Sequence, residues 1–265
     1  MSHWTHERPF GNRSSDIPDY DRGDVIAMPL GRIEGHTRVL LIGNCLIGAV
    51  VPITVWPLAT AYPFLAAPAA LEVVSTSAAD TLLGTGARQV TLELLDASYV
   101  RSEVTVTLDG LTPVAVPGLW LRINSALTVS AGTGQANAGT VDVRVAPAGA
   151  VLARMPIGAN RLRQMVYTVP AAHTAINFSI SATIEAPAAA NATIIPHLTV
   201  GGLTRTGAPL VVIGQGPHVT LEPSLPSVAP ERTDLTLRVI ADTGTGQVVW
   251  AWLDLLVIRL DQVRS

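Results

Sequence analysis

The strongest constraint on this chain is a hydrophobic period of two. Val90, Leu92 and Leu94 alternate with Thr91 and Glu93, and Val104, Val106 and Leu108 alternate with Thr105 and Thr107. Val141, Val143 and Val145 alternate with Asp142 and Arg144. Side chains two positions apart share one face of a strand, so each run predicts a half-buried strand. Turn-forming clusters separate the runs: Gly84-Thr85-Gly86, Asp109-Gly110, Pro117-Gly118 and Gly132-Thr133-Gly134. After the small, turn-forming stretch Ala146 to Ala150 the alternation resumes in Ile176 to Ile184 and in Leu235 to Val239. Val248 to Ile258 is apolar on both faces, which fits a strand covered twice, a strand against a partner chain, or a short buried helix. The expected fold class is all-β, with two antiparallel β-sandwich or jelly-roll-like domains at residues 71–147 and 148–265. An extended N-terminal arm, residues 1–70, precedes them.

The arm is polar from Met1 to Arg38 and broken by Pro9, Gly11, Pro18, Gly23, Pro29, Gly31 and Gly35, which leaves no room for a long helix. Val39 to Leu71 then carries no charge at all. Asn44, two glycines, Pro52, Pro57 and Pro63 interrupt it, so it lacks the roughly 20 unbroken apolar residues of a spanning helix. It is expected as extended chain buried against this protein's own domains or a neighbouring subunit.

Composition narrows the chemistry. All 17 basic residues are arginine, against 20 acidic ones, and no basic run exists. That disfavours a groove tracking nucleic-acid phosphates, and the absence of lysine removes Schiff-base and P-loop chemistry. A single cysteine, Cys45, forms no intrachain disulfide. Charged residues are 14% of the chain, below the quarter usual in free-standing domains, which points to surface covered by neighbours.

No constellation compels catalysis. Gly132 to Gly139 superficially resembles a dinucleotide loop, but a strand pattern follows it where a helix is required. Asp16, Asp19, Asp21 and Asp24 form an acidic group without the spacing of a calcium loop, and Arg22-Gly23-Asp24 is too short a match to carry weight. His3, His6 and Glu7 lie near the start, while His36, His173, His197 and His218 are scattered. Asp80, Glu93, Asp96, Glu103 and Asp109 could supply paired carboxylates, although Glu93 and Glu103 read as solvated strand faces. No Gly-x-Ser-x-Gly elbow is present. The expected sites are therefore none: no catalytic, cofactor-binding or metal residues, and no cofactor.

The stretch from Leu71 to Thr140 resembles a module of virion structural proteins of tailed bacteriophages and related particles. The matching residues are Leu71 to Thr81, Gly84 to Arg88, Leu95-Asp96-Ala97-Ser98-Tyr99, Glu103, Thr107 to Gly110, Thr112-Pro113-Val114, Arg122-Ile123-Asn124, Ala131 to Gly134 and Asn137 to Thr140. Tyr167-Thr168-Val169-Pro170-Ala171 looks like the start of a second sandwich in the same proteins. The resemblance implies an all-β particle component without catalytic residues, often oligomeric. The long arm and the uncharged segment depart from the usual pattern and leave the docking site open.

The expected function is thus a non-enzymatic virion structural protein: a capsid decoration, a head spike base or a fibre-type component on capsid or tail, held by its N-terminal arm. Expected partners are other virion structural proteins, such as capsid, portal or tail components, and further copies in a homo-oligomer, trimer or pentamer. No nucleic acid or membrane partner is expected. The expected location is the virion, assembled in the bacterial host cytoplasm. The alternative from another class is a glycan-binding receptor or adhesion module with Trp120, Trp250 and Trp252 as stacking platforms. A polysaccharide depolymerase and a membrane-attached surface protein rank below it.

Overall fold

The computed structural model describes residues 33–48, 51–185, 190–213, 219–221, 227–243 and 246–263. Asp16, Asp19, Asp21, Asp24, Arg22-Gly23-Asp24, His3, His6, Glu7 and His218 lie outside these residues, as does the arm before residue 33.

The described chain is all-β, built from antiparallel sheets. In order, its strands are β1 (His36–Ile47), β2 (Ile53–Thr54), β3 (Ala69–Ser75), β4 (Ala87–Leu95), β5 (Arg101–Thr107) and β6 (Val114–Trp120). There follow β7 (Arg122–Ala131), β8 (Val141–Val145), β9 (Val151–Met155), β10 (Val166–Thr168), β11 (His173–Glu185) and β12 (Asn191–Val200). The last are β13 (Leu203–Thr206), β14 (Leu210–Ile213), β15 (Val219–Leu221), β16 (Ser227–Ala229), β17 (Asp234–Thr243) and β18 (Gln247–Arg259).

One block pairs a sheet of order β6-β3-β8-β9 with a sheet of order β5-β4-β7. The alternating apolar residues supply its core: Val90, Leu92 and Leu94 from β4 meet Leu71 and Val73 from β3 and Val141 and Val143 from β8. The other block pairs β1-β18-β11-β15, with β16 also on β11, against β10-β17-β12-β13, with β14 and β2 also attached. Its core draws Leu253 and Leu255 from β18, Ile180 and Ala182 from β11, Ile194 from β12 and Leu237 and Val239 from β17. Of the three readings left open for Val248 to Ile258, the central strand is the one found: β18 lies between β1 and β11. Pro196 sits inside β12, where the strand changes partner from β14 to β13. Its carbonyl accepts from Gly207 N–H on that side, so its missing N–H falls at the break in the ladder.

Two boundaries differ from the expectation. The uncharged segment is not wholly an arm, because β1 pairs with β18 residue by residue from His36↔Ile258 to Ile47↔Gln247. Leu41, Cys45 and Ile47 point into the second core, while Leu40 and Leu46 face outward. Half of the strand is core, and it also lies against residues 161–165 of the same chain, where Arg161 Nη2 donates to Leu40 O. Gly43 leaves the space for that contact; a Cβ there would meet Met165 Cγ at 2.5 Å. Likewise Ala146 to Ala150 is no linker. It is the turn between β8 and β9, whose residues pair Val141↔Met155 and Asp142↔Arg154. The crossing lies later, between Leu162 in the first core and Met165 in the second. The first block is therefore inserted into the second, and both β1 and β18 belong to one sheet.

This arrangement sets where the chain can be shortened. Removing residues 1–32 takes away none of the described strands, and the cooperative melting of the β-blocks is expected to be unchanged. Removing residues 1–47 deletes Leu41, Cys45 and Ile47 from the core, at about 1.5–3 kcal/mol for each large side chain, plus a twelve-residue ladder. That loss is comparable with a whole folding margin of about 5–15 kcal/mol, so the second block is expected to lose its cooperative transition.

Candidate functional site

Asp80 is fully buried and lies at the centre of a polar knot in the first block. Its Oδ1 accepts from Ala87 N–H at 2.7 Å and Ala138 N–H at 2.8 Å. Its Oδ2 accepts from Ser75 Oγ at 2.6 Å and Gly139 N–H at 2.9 Å. Its own carbonyl accepts from Gly110 N–H at 2.8 Å. Four donors saturate the carboxylate, and three chain segments distant in sequence are tied through it. Gly86 has no side chain because a Cβ there would run into Asp80 Oδ1. The two glycine loops bond to each other, Gly132 N–H to Gly86 O and Gly134 N–H to Thr85 O. Gly84 and Gly86 N–H donate to Thr81 O and Ala79 O, so these amides are spent within the fold rather than forming a phosphate cradle, and β8 follows the second loop as a strand.

A second knot joins the two blocks. Arg122 of β7 makes a bidentate pair with Asp234 of β17, Nε to Oδ1 and Nη2 to Oδ2, each 2.9 Å. Both side chains are about nine-tenths buried. Arg122 Nη1 also donates to the carbonyls of Leu65 and Leu121. Its guanidinium lies 5.0 Å from the Phe64 ring and 5.9 Å from that of Tyr99. Thr168 Oγ1 donates to Asp234 Oδ1, while Asn124 and Thr168 exchange two hydrogen bonds. Asp96 holds the turn presenting Tyr99, its Oδ1 accepting from Ser98 and Val100 N–H. The matched segments Leu95 to Tyr99, Arg122 to Asn124 and Tyr167 to Ala171 thus meet at this seam.

The remaining carboxylates are divided. Glu93 and Glu103 are register partners across β4 and β5, and Arg101 Nη2 lies 3.0 Å from a carboxylate oxygen of each. Glu103 is exposed, but Glu93 is not the solvated strand residue expected. The second block covers that face of β4, and Asn124 Nδ2 approaches Glu93 Oε1 at 3.3 Å. Burial raises its carboxyl above the ordinary range, against the opposing pull of Arg101. Glu93 therefore shares a seam cavity of about 350 Å³ with β1 residues, Arg161 and Gln164. Asp109 sits in the Asp80 knot only through the backbone, by bridges to Thr81 and Thr112.

The described histidines, His36, His173 and His197, do not converge with other possible ligands. His36 Nδ1 contacts Glu34 O and His173 Nδ1 contacts Ala171 O, each at 2.8 Å. Burial and then Arg238 lower the pKa of His197. Among the described residues no group of three His, Cys, Asp or Glu could hold a metal ion, and no helix is long and apolar enough to cross a membrane. Cys45 is buried and its thiol is pushed up to about 12 by burial. Trp120 is buried and donates to Pro117 O. Trp250 carries the Arg163 guanidinium 4.9 Å from its ring centroid, and Trp252 is half-buried beside Ile42. Sequence reasoning missed the roles of Arg122, Asn124, Thr168 and Asp234, because the pairing of residues 112 positions apart has no local signature.

Two measurements check these assignments. Arg122→Met strands Asp234 in the seam and is expected to cost about 3–5 kcal/mol in denaturant unfolding, whereas the double change Arg122→Met with Asp234→Leu recovers most of the loss. Glu93 has a raised carboxyl pKa, so the folded state holds its proton more tightly than the unfolded chain. Stability is then lost as pH rises from the ordinary carboxylate range through the raised value. Glu93→Gln lacks that step, and its unfolding midpoint should gain on the parent's across this window; parallel curves would rule the assignment out.

No family model matches the chain, and no curated protein matches it. Among solved structures, one of the infectious bursal disease virus Gx strain is similar at 12% identity, over 85% of this chain and 73% of that chain, with a TM-score of 0.25. A mutant VP2 protein of infectious bursal disease virus, from derived T=1 particles, is similar at 13% identity over 86% and 74%, with a TM-score of 0.11. At such scores the likeness carries no inference about this chain.

Proposed function

We propose that this chain is a non-enzymatic structural component of a virion, a decoration, spike-base or fibre-type protein joined to other particle proteins through its N-terminal arm. One observation carries the reading. The residues that resemble the phage virion module are consumed by architecture: Asp80, Ser75, Ala87, Ala138 and Gly139 form one knot, and Arg122, Asn124 and Thr168 form the other. A motif whose polar atoms are saturated by its own fold specifies a shape. Exposed Leu40, Leu46, Leu203, Val211 and Ile213 give surfaces for neighbouring copies or particle proteins to cover in a homo-oligomer.

Immunogold labelling of intact particles from the source tests the reading. Label on the head supports a decoration or spike role, and label at the tail supports a fibre or adaptor role. Absence from intact and disrupted particles, with recovery from host membranes, would overturn it. For the arm, removal of residues 1–32 is expected to abolish incorporation while the β-blocks stay folded; incorporation of that truncated chain would refute anchoring.

A further inference from the structure

The core of the second block leaves open space. Between its two sheets lies a cavity of about 170 Å³. Leu235, Leu237, Leu253 and Leu255 line its buried side. Small residues leave the space: Ala175 and Ala229 are register partners on β11 and β16, and Gly207 and Ala208 lie at the mouth, where Ala208 is exposed. Protein interiors hold few voids larger than a water molecule. An apolar cavity of about 150 Å³ stays dry and takes up small apolar molecules.

Asn177, His197 and Thr236 are the polar residues of this lining, and His197 Nδ1 has no hydrogen-bond partner. His197 and Thr236 are register partners on β12 and β17, one position out of step with Leu198, Leu235 and Leu237, which pack in the core, so Asn177 is the polar side chain directed between the sheets. Asn177 is the register partner of Leu255, so it projects to the core side of β11, beside the bulge between Asn177 and Ser179. Its Oδ1 is buried and has no hydrogen-bond partner. A buried acceptor left without a donor is rare in folded proteins and calls for a cause. Here the acceptor borders the open space, and no Asp, Glu or Arg lines the cavity to attract an ion.

We propose that this cavity is a binding site for a small neutral amphiphile, with an alkyl chain among the leucines and a hydroxyl or amide N–H donating to Asn177 Oδ1. The site is independent of the virion reading and of the seam between the blocks. Its size suits a molecule of about six carbons, since an apolar cavity of about 150 Å³ takes up benzene.

Titration of the full chain with hexan-1-ol and with cyclohexane, followed by calorimetry, tests the site. Saturable one-site uptake of hexan-1-ol is expected. Ala208→Trp, a change at an exposed position, should block the mouth and weaken uptake at least about tenfold with unchanged melting. Asn177→Leu should weaken hexan-1-ol about tenfold, the worth of one hydrogen bond, and leave cyclohexane uptake unchanged or tighter. Absence of saturable uptake by the parent chain overturns the proposal. So does uptake indifferent to Ala208→Trp, which places the ligand elsewhere, or hexan-1-ol binding unaffected by Asn177→Leu, which leaves the amide to water. Should Asn177→Leu fail to melt cooperatively, the Ala208→Trp comparison decides.

Discussion

Everything in the second block depends on the pairing of β1 with β18. β18 is apolar on both faces, and such a strand is stable only when it is flanked and covered. β11 protects one edge, with a bulge at Asn177/Ser179, and β1 protects the other in an unbroken register of twelve residues. Inward side chains from all three strands fill one core. On the opposite face Ile176, Leu256 and Ile258 are closed over by Ile33, the first described residue. Without β1 the central strand would become an exposed, flat, apolar edge, the kind of surface that pairs with other chains. The Arg38–Asp254 pair, at 2.6 Å, adds a charged contact across the same ladder near the end where the chain enters.

The two polar knots differ in what they do. Asp80 works within the first block and fixes loops, which a hydrophobic core positions poorly because loops bury few side chains. A buried carboxylate with four donors is strongly directional, and it imposes one arrangement on segments that share little apolar contact. The Arg122–Asp234 pair works between blocks. Burying such a pair brings little net stability over an apolar contact, since desolvation offsets most of the attraction. In this docking the guanidinium satisfies the carboxylate and the Leu65 and Leu121 carbonyls together. Elsewhere the charges are local, as where Ala148 N–H and then Arg144 hold the Glu72 carboxyl below its ordinary range.

Much of this was legible in the sequence wherever one face of a strand is wet. The alternations at Val90 to Leu94, Val141 to Val145 and Leu235 to Val239 all lie in strands, and the all-β class follows from them. β1 was less legible because both of its faces are apolar, which erases the period of two. The turn at Ala146 to Ala150 was misread as a boundary because small residues and proline punctuate hairpins and linkers alike. Glu93 was misread for a different reason: alternation tells which face of a sheet is polar, but not whether another block will cover it. The knots were visible only as a motif. Nothing local announces that Asp80 meets Gly139 or that Arg122 meets Asp234, since those meetings are set by the packing of distant segments.

The nesting of one block inside the other also sets an order of events during synthesis. β1 leaves the ribosome about 200 residues before its partner β18. At translation rates of about 5–20 residues per second, that is a wait of roughly 10–40 seconds. The inserted block has all of its strands available well before then and is free to complete its own core first. During the interval the uncharged stretch around Leu40 to Ile47 lacks its ladder partner β18, and an unpaired apolar strand is open to pairing with other chains. Among the described strands, β18 is made last and closes the sheet that β1, made first, opened.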